Sequence, residues 1–155
     1  MSNVIIGIDT GVNTGFAVWD LGNREFLSIA TLKIHRAFEH VLALKPQLVR
    51  VEDARKRKAL TNVGPGREQG AGSVKRDAKI WEDFLSDHKI PFQMCVPQNT
   101  EWTSEGFNRL TRYKGLTSEH ARAAAVMVYD FSASQVKRIL LEQEADKGRI
   151  KRTKC

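Results

Sequence analysis

VIIGIDTGVNTGFAVWD, residues Val4–Asp20, is an apolar run that closes on an acid, then a Gly/Asn-bearing turn, then a second apolar run. LGNRE turns the chain again and FLSIATL (26–32) makes a third run of strand type. Three short strands joined by such turns form an antiparallel meander. Farther on, Ala37, Phe38, Val41 and Leu44 recur at helical spacing within Ile34–Leu44, and LVRVED (Leu48–Asp53) is again a strand that closes on acids. Ala54–Gly70, rich in polar residues and glycine, reads as a loop. Ser73–Asp87 is helical, with Val74, Ala78, Trp81 and Leu85 on one stripe, and PFQMCV (Pro91–Val96) is a strand. Pro97–Gly115 is irregular and polar, with Trp102, Phe107 and Tyr113 interspersed, more simply as core than as base-stacking residues. Leu116–Asp130 and Ser132–Asp146 complete the pattern as helices. The order predicts an α/β fold, a mixed sheet of three antiparallel strands followed by parallel strands, flanked by helices. One domain over 1–146 and a basic tail over 147–155 are expected.

In that order the first and fourth strands can lie side by side and parallel. Asp9 and Glu52 would then be neighbours at the carboxyl ends of the strands, where sites in α/β sheets form. Two close carboxylates resist joint ionisation, and a divalent cation removes the conflict. Their oxygens suit Mg²⁺ or Mn²⁺, and two such ions about 4 Å apart can activate water against a phosphodiester. Asp53 alternates to the opposite face and is the weaker candidate.

The chain carries a net charge of +7. Arg55, Lys56, Arg57 and Lys58 are consecutive, Arg67, Lys75 and Arg76 follow, and the tail is basic. Clustered cations of this kind fit a polyanion such as DNA, held by its phosphates. No run of about eighteen apolar residues is present, so no membrane helix is expected. MSNVIIGID lacks the features of a signal peptide, and Cys95 and Cys155, far apart, are expected to be unpaired in a reducing cytoplasm.

The segments IIGIDTGVNTGFAVWD, RVEDARKRKALTN, GAGSVKRDAKIWEDFL and SEHARAAAVMV, in this order and spacing, resemble the RuvC-type Holliday-junction resolvases, above all the small bacteriophage-encoded ones. The resemblance spans roughly residues 3–131. It implies an RNase H-like fold, a homodimer in the cytoplasm of a bacterial host, and Mg²⁺- or Mn²⁺-dependent symmetric nicking of four-way DNA junctions. It makes Asp9, Glu52 and His120 metal ligands and catalytic residues, with phosphate contacts from Arg55, Lys56, Arg57, Lys58, Arg67, Lys75 and Arg76. No membrane and no small-molecule substrate enters that picture. The family's last helix carries two ligands three residues apart, His-x-x-Asp or Asp-x-x-Asp. Here His120 fills the first place and Ala123 stands in the second. An Asp→Ala replacement, introduced or natural, would remove a charged ligand and impair cutting while keeping helix propensity. Taking Glu119 and Arg122 as the pair instead would put a cation in the metal site. Non-catalytic DNA binding on the same fold, or a flap, fork or RNA–DNA hybrid nuclease, are the alternatives. The first turn also resembles that of the sugar-kinase and actin-like ATPases, which need a second lobe and a second phosphate loop.

Overall fold

The computed structural model describes residues 2–56, 65–97 and 102–153, without the side chains of 65–71, 74 and 148–153. Five strands form one mixed sheet: β1 (Val4–Asp9), β2 (Asn13–Asp20), β3 (Glu25–Lys33), β4 (Leu48–Glu52) and β5 (Phe92–Cys95). Their spatial order is β3-β2-β1-β4-β5. β1–β2 and β2–β3 pair antiparallel; β1–β4 and β4–β5 pair parallel. The central strand β1 is covered on both faces, which is why its run is continuously apolar.

Alternation along the strands sorts the core into two layers. Ile6, Ile8, Phe16, Val18, Val49 and Val51 face α1 (Ile34–Leu44) and α2 (Pro65–Asp87). Ile5, Ala17, Trp19 and Leu48 face α3 (Ser104–Thr111), α4 (Glu119–Val126) and α5 (Ala133–Thr153). The α2 stripe is core: Ala78, Trp81 and Leu85 are fully buried, while the Val74 side chain lies outside the described residues.

Several element bounds differ from the sequence reading. β2 begins at Asn13, inside the expected turn, because Asn13 and Thr14 already pair with Lys33 and Leu32 of β3. The expected loop over Ala54–Gly70 contains a 3-10 turn at Ala54–Lys56 and the first residues of α2, which opens on Pro65. Proline suits a helix start because it has no N–H to leave unpaired; residues 57–64 lie outside the described residues. The irregular stretch holds α3, anchored by buried Phe107 and capped by Thr103, whose hydroxyl accepts from the Gly106 N–H at 3.0 Å. Phe107 and Tyr113 pack in the core, as expected, whereas Trp102 is partly exposed. α4 is shorter than its apolar run and ends at Val126. α5 continues without a break past Asp146 to Thr153. Cys95 is a free thiol, and burial pushes its ionisation up. Among the described residues no helix is long and apolar enough to cross a membrane.

Candidate functional site

The register Ile5↔Leu48 and Gly7↔Arg50 carries one step further to Asp9 beside Glu52. Both acids therefore lie on the α4 side of the sheet, at the carboxyl ends of adjacent parallel strands. The Thr10 hydroxyl donates to the Glu52 carbonyl at 3.5 Å and holds these two strand ends together. Asp53 falls on the other face, as alternation predicts.

α4 brings the third group. Its N-cap is Ser118, whose hydroxyl accepts from the Ala121 N–H at 3.1 Å and meets the Thr31 hydroxyl of β3 at 2.6 Å. The helix lies very close to the sheet because both partners are small where they cross. Ala121, Ala124 and Ala125 are buried on its underside. A β-carbon built on Gly15 would stand 2.0 Å from the His120 carbonyl oxygen, and one on Gly7 would stand 2.1 Å from that of Ala124. Those carbonyls are one helical turn apart, so two glycines seat one turn of α4. At the far end Arg50 donates to the Met127 carbonyl and to Gln93 Oε1 at 3.1 Å, with its guanidinium 4.8 Å from the Phe131 ring centre.

So seated, α4 sets His120 Nδ1 3.0 Å from Asp9 Oδ2. Asp9 has a side chain only 14% exposed, while that of His120 is 62% exposed. Ala123 is half-buried, three residues along from His120 and outside the set of alanines that touch the sheet. Close packing explains the alanines at 121, 124 and 125, but not the one at 123. Arg122 is bonded to the Trp102 and Thr117 carbonyls, while His120 meets Asp9.

The donors are carboxylate oxygens and an imidazole, of the kind Mg²⁺ or Mn²⁺ accepts. The set is nonetheless short: among the described residues no three His, Cys, Asp or Glu converge closely enough to hold an ion.

On the other face Asp53 is 3% exposed at its side chain and binds Arg55 three times: Oδ1 accepts the Arg55 N–H at 3.0 Å and Nε at 2.8 Å, and Oδ2 accepts Nη2 at 2.9 Å. The same Nη2 reaches Glu82 Oε2 of α2 at 2.5 Å. Arg55, grouped above with the phosphate-binding cations, thus joins the end of β4 to α2. Burial alone would raise the Asp53 pKa, but the Arg55 side chain and N–H hold the carboxyl below its ordinary value. A carboxyl so held stabilises the fold above about pH 4 and loses that contribution as the pH falls below it. Arg55→Met is expected to cost about 3 kcal/mol at pH 7, since it strands a buried carboxylate. The cost should shrink near pH 3, where the stranded Asp53 is protonated. Urea melts at both pH values check this, and an equal cost at each would show that the charge pair is not its source.

Of the other cations, Lys56 is exposed and donates from Nζ to the Met94 carbonyl at 2.7 Å, near the end of β5. Lys75 and Arg76 are exposed on α2. Arg57 and Lys58, and the side chain of Arg67, lie outside the described residues.

Three contributors to the site escaped the sequence reading, Gly7, Gly15 and Arg50, and Arg122 entered it only as an alternative ligand position. A glycine inside an apolar strand does signal close approach by another backbone, and Gly7 carries that signal. Compared with known families and with curated proteins, the chain matches no family model and no curated sequence.

Proposed function

We propose that this chain is an RNase H-like protein of the RuvC type, a structure-selective endonuclease for four-way and other branched DNA, impaired by alanine at 123. One observation carries the reading: Asp9 and Glu52 end adjacent parallel strands on one face, with His120 3.0 Å from Asp9 and Ala123 one helical turn beyond it. The strand order β3-β2-β1-β4-β5 is compatible with an RNase H-like arrangement.

In this reading Asp9, Glu52 and His120 are the side chains that would hold Mg²⁺ or Mn²⁺, a set that an acid at 123 would complete; a bound ion would supply Lewis-acid activation of water against a phosphodiester. The protein's own part is positional. Gly7 and Gly15 let α4 bring His120 to Asp9, and Lys56, Lys75 and Arg76 offer charge to phosphates without reading sequence. Two copies related by a two-fold axis present two such sites to opposed strands. Ala123 also favours a second reading, in which the protein binds branched DNA and cuts nothing.

The test is a titration of end-labelled four-way junction and of linear duplex with this chain, followed by product gels in Mg²⁺, Mn²⁺ or EDTA. Preferred binding of the junction, with little or no nicking, is the expected result. Equal affinity for duplex would remove junction selectivity, and fast symmetric nicking would show that Ala123 disarms nothing.

A further inference from the structure

Arg122 lies two residues beyond His120 on α4. Its Nε donates to the Trp102 carbonyl at 2.9 Å, and its Nη1 to the Thr117 carbonyl at 2.5 Å and the Thr117 hydroxyl at 3.1 Å. One guanidinium therefore fastens both ends of the segment 102–117 to the helix that carries His120. Phe107, buried, and Tyr113, edge-on to Phe26, hold the middle of that segment to the core.

What remains outside is distinctive. Trp102 is 37% exposed and Leu116 95% exposed, one at each stapled end. Between them Arg109, Arg112 and Lys114 are exposed, and none forms an ion pair among the described residues. Glu105 is the one acid in 102–117. Single exposed apolar side chains are ordinary. An indole and a leucine at the two stapled ends of a segment that carries three exposed cations without an ion pair among the described residues are a surface with a chemistry. The cations match phosphates, and the indole matches the face of a base that has left its stack.

Resting on the branched-DNA reading above, we infer that the segment 102–117, fastened to the helix that carries His120, is a second DNA-contact surface, on which Trp102 stacks against an unpaired nucleobase. Arg122 is its positioning residue. This surface lies on the α3–α4 side of the sheet, opposite α2 with Lys75 and Arg76, and it gives the protein a means of preferring branch points, where bases unstack, over continuous duplex.

The protein carries its own probe. Trp19 and Trp81 are 2% and 0% exposed, so Trp102 is the tryptophan that a ligand can reach. Tryptophan emission of the full chain is followed on adding a four-way junction with unpaired nucleotides at the crossover, with anisotropy of a label on a distal DNA arm read in parallel. Saturable quenching is expected, absent in Trp102→Ala. That variant should bind the junction about tenfold more weakly, the size of one base–aromatic stack, and Trp102→Phe should restore most of the affinity. Arg122→Lys, which keeps the charge but cannot span both carbonyls, should shift in the same direction. Junction binding by anisotropy with unchanged emission, and with parental affinity in Trp102→Ala, would overturn this inference and leave the branched-DNA reading standing. No anisotropy change with any DNA would overturn both. An emission change on concentrating the protein without DNA would assign the surface to a second copy of the chain and overturn the inference.

Discussion

Gly15→Ala should destabilise this protein by about 3 kcal/mol or more, enough to take a marginal domain close to unfolding. The added methyl has no empty space to enter. It would stand 2.0 Å from the His120 carbonyl oxygen, 2.6 Å from the His120 carbonyl carbon and 3.0 Å from the Asp9 β-carbon. Two of those three atoms are backbone, so no side chain can rotate away, and α4 must lift or β2 must bend. Lifting α4 strips the contacts of Ala121, Ala124 and Ala125 and separates His120 from Asp9. Gly7→Ala meets the same obstacle one turn along, at 2.1 Å from the Ala124 carbonyl oxygen. A methyl added at Gly72 in α2 would have nothing within 4 Å. Gly72→Ala should therefore stabilise by about 0.5–1 kcal/mol, the ordinary gain of alanine over glycine in a helix. Urea midpoints for the three variants decide the matter. A Gly15→Ala midpoint near the parental one would mean that α4 does not rest on the sheet as described.

Those two glycines also mark where sequence reading stops. The parallel pairing of β1 and β4, and the shared face of Asp9 and Glu52, were legible because alternation and strand order are local patterns that sum to a topology. His120 was legible only through a resemblance of motifs, since a first-turn histidine has no periodicity of its own. The seat of α4 was not legible, because close approach is a relation between segments about a hundred residues apart. α3 was missed for a different reason: eight residues are too few for a helical period to stand out, and its existence depends on Phe107 finding the core. Charge did not reveal the internal bonds of Arg55 or of Arg122. A run of cations in sequence does not reveal which guanidinium is consumed internally, here by Asp53 and Glu82 or by two carbonyls.

Ala123→Asp should raise metal-dependent nicking of a four-way junction by about two to three powers of ten, in line with the effect of adding or removing one strong electrostatic contributor to a transition state. Packing does not oppose the change. Ala123 is half-buried and outside the trio of alanines that touch the sheet, so a carboxylate there can face the same side as His120. Its cost without metal is small and has two parts. Aspartate is a poorer helix former than alanine by about 0.6 kcal/mol, and a third carboxylate near Asp9 and Glu52 adds repulsion. That repulsion is what a divalent cation relieves, so the variant should melt slightly below the parent in EDTA and gain more from Mg²⁺ or Mn²⁺ than the parent does. At a concentration one hundred times the dissociation constant the gain is about 2.7 kcal/mol. The melting shift reads metal binding without any DNA present, and adding Glu52→Gln to the Asp version should abolish both the shift and the nicking. If Ala123→Asp neither cuts nor responds to metal while junction binding persists, Asp9, Glu52 and His120 are not a ligand set, and the protein binds branched DNA without cutting it.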